Sequence, residues 1–367
     1  MKRIGLVIIF IFFLCCMTVY GQQKEVPEKP AKRDVDISGW IDVQYKYDVQ
    51  GEVESSVMQI RRARLDVRGT LSPWVDFRLQ SDFSGSQKLL DAYMRVRLGR
   101  WIALQAGQFK TPLSIENNMS PLDLELTENT MAVSALCGYK DVTGVSAYSG
   151  GREVGVMAML SGFEAEVGGK RQPIVHLNVG LFGGAGINLR TDNMSKDVSM
   201  RLDVCPFVPN LKLSASGYWG RYRMLMDGVE QGIDGDRIRY AVGVEYDDKS
   251  LYVRSEYVCG NTGMMAVDAL TNTGSRYELY SQGYYVVAGY WISLSDGGMW
   301  RQKIRPLLRY ESYDKDKEAE QGVVNYTAGC EWWLGRHLRM QLAYTLTQDA
   351  AADGSGHSVT AMATVRF

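Results

Sequence analysis

Six arginines carry the chemistry this sequence offers most plainly: Arg62, Arg64, Arg68, Arg78, Arg95 and Arg97. A guanidinium is a planar fork of donors matched to the oxygens of phosphate and carboxylate. Six of them along one wall would draw in anions, and a low-dielectric surround would focus that field. Asp66, Asp76, Asp82 and Asp91 fall on the same faces. Pairing with the arginines as a structural lining and a net positive field both remain open at this level. Lys110 closes the stretch as a candidate constriction cation.

Other chemistries have less support. His176, His337 and His357 are the only histidines, and a general base must reach its nucleophile. His176 lies mid-strand without a Gly-x-Ser-x-Gly elbow, and the other two sit near turns, so no enzyme is expected. The run Asp227 to Asp236 lacks the spacing of a calcium loop and is expected to be a charged external loop. The glycines of 183–186 precede no helix, so a dinucleotide site fails on context. Cys137, Cys205, Cys259 and Cys330 are scattered, and form neither a zinc signature nor a disulfide framework. No metal or cofactor is expected.

The elements that must position the arginines are strands. From Gln59 to Phe109, Ala63, Leu65 and Val67 alternate with the charged residues between them, as do Val75, Phe77 and Leu79, then Ala92, Met94, Val96 and Leu98. A period of two is strand periodicity. Arg61 is out of phase and is expected at a rim. A soluble sandwich would hide the apolar phase between two sheets, whereas a membrane barrel would turn it to lipid and its charges to a wet lumen. Strand-like segments recur to the end of the chain, seventeen in all with 141–149 among them, of which an even-numbered barrel discards one. Short turns such as 71–72 and 334–336 alternate with long polar ones at 261–275, 314–321 and 348–356. Trp40, Trp74, Trp101, Trp219, Trp300, Trp332 and Trp333 are candidates for interfacial girdles.

The chain's start supplies a compartment. Lys2 and Arg3 precede an apolar run ending at Tyr20, which is expected to be a signal peptide over 1–21. A charged, proline-bearing leader follows over 22–36, and a single barrel domain over 37–367. No later apolar run is long enough for a membrane helix. The 367 residues carry 41 basic and 42 acidic side chains. Losing Lys2 and Arg3 leaves 39 against 42, a net of −3, which argues against a nucleic-acid partner. The fold expected is an all-β transmembrane antiparallel β-barrel of about 16 strands.

One irregular stretch, 110–139, interrupts the hairpins. A loop of that length is functional or disordered as a rule, and in a wide barrel the economical arrangement folds it inward to constrict the lumen. Its approach, Gly107-Gln108-Phe109-Lys110-Thr111-Pro112, with Ser114, Glu116, Glu128 and the later Asp141, resembles the motif of the phosphate-selective porin O and P family. The motif covers 107–144, and the terminal HSVTAMATVRF, ending in Phe367, resembles the closing strand of bacterial outer-membrane proteins. The resemblance implies a 16-stranded porin of the bacterial outer membrane, commonly a homotrimer, with lipids around it and a constricted basic pore. Asn129 stands where the family has an arginine after Glu128, and Lys140 replaces an arginine before Asp141, so phosphate selectivity does not carry over on these residues. The function expected is passive diffusion of small hydrophilic solutes, with anions such as phosphate as candidates. The alternatives are a plugged, non-conducting binding barrel and a secreted soluble β-protein.

Overall fold

Within a bilayer every backbone N–H and C=O needs a partner from the protein itself, and a closed ring of strands supplies one. The computed structural model describes residues 34–367 apart from 86–87, 139–141, 143–149, 190–195, 227–228, 268–273, 296–300, 320–321 and 351–354. The strands in chain order are β1 (Asp34–Gln50), β2 (Val53–Ser72), β3 (Val75–Asp82), β4 (Lys88–Arg97), β5 (Ile102–Lys110), β6 (Arg152–Val167), β7 (Lys170–Phe182) and β8 (Asp197–Val204). They continue as β9 (Leu211–Met226), β10 (Val229–Asp247), β11 (Leu251–Val267), β12 (Gly274–Tyr290, resumed over Ile292–Ser295), β13 (Gln302–Asp314), β14 (Gly322–Leu334), β15 (Leu338–Asp349) and β16 (Ser355–Arg366). Each pairs antiparallel with the next, and β16 pairs back onto β1 from Trp40 opposite Arg366 to Gln50 opposite Gly356. The ring of 16 is closed, with no strand edge left open to lipid.

The surplus segment is 141–149. β5 pairs directly with β6, so 141–149, most of which lies outside the described residues, is not a rung between them. Strand β1 starts at Asp34, opposite Thr70 of β2, so it takes the last three residues of the expected leader; residues 1–33, with the expected signal peptide, lie outside the described residues. Two expected external loops shrink. β11 runs on to Val267 and β12 begins at Gly274, and β10 begins at Val229, inside the acidic run 227–236. Polar composition there misled, because a hairpin continued into water pairs its backbone whatever its side chains are.

The alternating phase is as expected on the arginine-bearing strands. Leu65, Leu79 and Met94 are exposed on the outer face, while Asp66, Asp76, Asp82 and Asp91 are buried on the inner one. A bulge breaks the phase of β2 against β1, where Asp42 faces Arg62 but Val43 faces Ile60. Arg61 is the extra residue, and it turns inward beside Arg62; the expectation of a rim position fails because a bulge adds a residue that a strict period of two does not allow for.

Outer tyrosines form a belt. Tyr257, Tyr284, Tyr326 and Tyr344 are exposed on β11, β12, β14 and β15, and Tyr45 continues the belt on β1. Two of the seven tryptophans expected in girdles are inward instead. Trp40 and Trp333 are buried, and since Trp332 and Trp333 are adjacent in a strand, one of them has to face the lumen. Trp300 lies outside the described residues.

Candidate functional site

The ladder of arginines exists, and it is closely paired. Arg62 meets Asp42 at 3.1 Å and Arg64 meets Asp82 at 2.8 Å. These two side chains are nearly closed off, 7% and 10% exposed. Farther along the wall the pairing is shared. Asp66 takes Arg68 at 2.9 Å and Arg78 at 2.7 Å, Asp76 takes Arg95 at 3.0 Å and Arg97 at 2.6 Å, and Asp91 takes Arg78 at 3.0 Å and Arg152 at 2.7 Å. Five guanidiniums therefore share three carboxylates, and Arg68 keeps 59% of its side chain open. Arg152 was missed in the sequence; its signal was position, since it opens β6 directly opposite Lys110 of β5.

Lys110 joins the five guanidiniums that share carboxylates as a sixth cation. Its Nζ donates to the carbonyl oxygens of Asn117 at 2.7 Å and Met119 at 2.6 Å, so its partners are dipoles and not a carboxylate. The motif around it is structural in detail. Gly107 has φ +133°, and a Cβ there would lie 2.2 Å from the carbonyl oxygen of Ala92, so only glycine lets β4 and β5 approach. Gln108 Nε2 donates to the carbonyls of Leu89 and Leu90 at 2.6 and 2.9 Å, which ties down a bulge in β4. Phe109 packs between Tyr93 and Phe182. The carbonyl of Pro112 accepts from Ser199 at 3.3 Å. Asp141 lies outside the described residues.

The loop after Lys110 carries two short helices, α1 (Ile115–Asn118) and α2 (Met131–Leu136), and folds into the lumen. Glu256 of β11 grips its first turn, accepting from Ser114 Oγ at 3.0 Å and from the backbone N–H groups of Ile115 and Glu116 at 2.5 and 2.9 Å. Arg254, two residues earlier on the same face, donates to Glu116 at 3.1 Å and to Glu125 at 2.9 Å. Glu116 also accepts from the Thr130 N–H at 2.7 Å, which draws the two ends of the loop together. Burial pushes the Glu116 carboxyl above its ordinary range against the pull of Arg254, whereas for Glu125 the neighbouring Arg254 and Arg305 outweigh burial and hold it below.

The same arrangement repeats around the wall. Arg309 donates to the Glu128 carbonyl at 2.9 Å, and Glu311 accepts from the Met131 N–H at 2.7 Å. Arg339 donates to the carbonyl of Leu122 at 2.7 Å, and Gln341 to that of Glu125 at 2.8 Å. Under α2 the wall is hollowed: a Cβ on Gly283 would sit 2.7 Å from that of Ala132. These anchors were missed in the sequence, yet they share a signal, an arginine followed two residues later by Glu or Gln on an inward face. Glu128 itself turns across to β1 and β2, where Gln44 donates to it at 3.1 Å and Arg61 at 2.7 Å. Asn129 holds the place of the family's arginine, and Arg61 supplies Glu128 with a guanidinium from the barrel wall.

Open space lies on both sides of the loop: a cavity of about 430 Å³ remains on the anchored side, beside Glu128, Arg309 and Glu311, and another faces the arginine wall. This second cavity, of about 310 Å³, runs between the arginine wall and loop residues 118–121, and its ionic lining is Arg68, Arg78, Arg95, Lys110 and Arg152 against the single carboxylate of Asp91. Met119 lines both this eyelet and a vestibule of about 1080 Å³ at the rim of short turns. Asp123 of the loop faces that vestibule, beside Arg305 and Arg366. Among the histidines, His176 meets Ser161 Oγ at 2.9 Å across β6 and β7, but Asp203, opposite it in register, pairs with Arg201 instead. His337 bonds the Arg366 carbonyl and His357 the Tyr344 hydroxyl.

The family model described as phosphate-selective porin O and P matches residues 35–367. No curated protein matches the chain in sequence. Among solved structures, an anion-selective porin from Comamonas acidovorans superposes with a TM-score of 0.65 at 12% identity, covering 92% of this chain and 100% of that one. The outer membrane channel DcaP of Acinetobacter baumannii gives 0.58 at 14% identity, covering 94% and 100%. The trimer form of OmpT, an outer membrane protein of Vibrio cholerae, gives 0.56 at 12%, covering 91% and 99%. At these identities the likeness is one of fold.

Proposed function

The chain belongs to the phosphate-selective porin O and P family and is a channel of the bacterial outer membrane, and from that premise we propose that it passes small anions by passive diffusion along the β2–β6 wall. The observation that carries this reading is the shared pairing there, five guanidiniums on three carboxylates with Lys110 held by carbonyls. Arg68, Arg78, Arg95, Arg97 and Lys110 are the anion-contacting groups, and Arg62 and Arg64 stiffen the wall behind them. Partial compensation suits a pore, since a solute must bind well enough to enter and weakly enough to leave. No bond is made or broken in this reading. Phosphate is one candidate among small anions.

The channel is proposed to work as a homotrimer through the wall formed by β2 to β8. At the level of the tyrosine belt, the outer face of that wall carries Met58, Ile60, Val154 and Val156, and among the described residues no outward tyrosine lies between Tyr47 on β1 and Tyr240 on β10. Aromatic belts mark the lipid headgroup level, so their interruption fits a wall covered by protein. Purified protein in a planar bilayer under a KCl gradient tests the channel reading. Stepwise conductance with an anion-preferring reversal potential is expected; steps with cation preference overturn anion passage, and folded protein without steps favours a plugged barrel.

A further inference from the structure

Cations form only one flank of the eyelet. Tyr93, Phe109, Met157 and Met159 form another, and Pro112, Met119 and Pro121 face it from the loop. Phe109 meets Tyr93 edge to face with ring centroids 5.9 Å apart, and Phe182 at 5.6 Å. Phe109 and Met157 are buried, so the half-buried Tyr93 and Met159 present the patch to the cavity. These residues hold inward positions. Met157 and Met159 alternate with Val156, Ala158 and Leu160, so β6 is apolar on both faces here, where a strand lining a wet lumen is otherwise polar inside.

The apolar flank is set directly against the charge. Tyr93 stands opposite Arg78 across β3 and β4, and opposite Gly107 across β4 and β5. Directly opposed residues lie about 5 Å apart at Cβ, close enough for one small molecule to touch both. Inorganic phosphate has no apolar surface to place against Tyr93 and Met159. A carboxylate on an aromatic body has one, and methionine sulfur and ring edges both favour contact with an arene.

We propose that the eyelet selects aromatic carboxylates over inorganic phosphate, with Arg78, Arg95 and Lys110 taking the carboxylate and Tyr93 and Met159 taking the ring. This rests on the anion-channel reading above. The test is block of the chloride current in a planar bilayer by benzoate, acetate and inorganic phosphate, titrated separately on wild type, Tyr93→Ser and Met159→Gln. Benzoate is expected to bind about fivefold more tightly than acetate, the scale of one aromatic contact, with phosphate no tighter than acetate. Each variant, checked for folding by heat-modifiable gel migration, is expected to shrink the benzoate advantage to less than about twofold. Should one variant misfold, the other carries the test, because Met159→Gln nearly conserves volume. Phosphate block stronger than benzoate block, or a benzoate advantage that survives in a folded variant, overturns the inference and leaves anion passage standing. A wild-type channel that prefers cations overturns both.

Discussion

Arginines on the two sides of this barrel have opposite fates. On β2 to β6, Arg68, Arg78, Arg95 and Arg97 keep between 22% and 59% of their side chains open and share carboxylates with one another. On β11 and β15, Arg254 and Arg339 are 2% and 1% exposed and are spent on the inward loop. Both groups face the lumen by the same alternation, so facing inward does not by itself make a residue part of the pore. On β11 and β15 the landing of the loop closes the arginines, whereas Arg62, Arg64 and Arg152 are closed by aspartates of the wall itself.

The difference breaks most severely at Arg254. In Arg254→Met, Glu116 and Glu125 stay buried without their guanidinium, a cost of about 3–5 kcal/mol. The expected outcome is a lower temperature for heat-modifiable migration and a larger, noisier single-channel conductance as the loop leaves the wall. Arg339→Met removes a charged donor from loop carbonyls and is expected to cost about 1.5–3 kcal/mol, with a smaller rise in conductance. Gln substitution at Arg95 makes the complementary case. Half-open ion pairs are worth under about 1 kcal/mol, so stability is expected to hold while the anion-to-cation permeability ratio falls, because the eyelet loses a cation and Asp76 stays.

The smallest effect concerns pH. Crowding by chain atoms lifts the Asp123 carboxyl above its ordinary range, with Arg339 and Arg366 opposing the lift. As pH falls, Asp123 loses its negative charge earlier than an ordinary carboxylate, so anion preference is expected to rise on acidification and Asp123→Asn to flatten that rise. The linked stability has the same sign: the raised value favours the protonated folded state, and this contribution is lost as pH rises through it. Reversal potentials measured across the acid range check both variants of this expectation.

The strands and their faces were legible because a period of two survives any tertiary detail; Leu65, Leu79 and Met94 point outward as the alternation requires. The inward loop was legible from its length and irregularity. Arg61 was not, because the bulge opposite Asp42 and Val43 is a one-residue event without a sequence mark of its own. Nor were the loop's anchors, since Arg254 and Glu256 are separated from Glu116 by well over a hundred residues and only the closed ring brings them together. Pairing of the aspartates was foreseeable as one alternative, while the ratio of cations to carboxylates at the eyelet required the side chains in place.

Selectivity from the β2–β6 wall is read in the reversal potential under a KCl gradient of Arg78→Gln/Arg95→Gln beside wild type. An anion-preferring potential is expected in wild type, and one closer to zero in the double variant. Identical potentials in the two proteins would contradict that origin, because selectivity would then arise somewhere other than the β2–β6 wall.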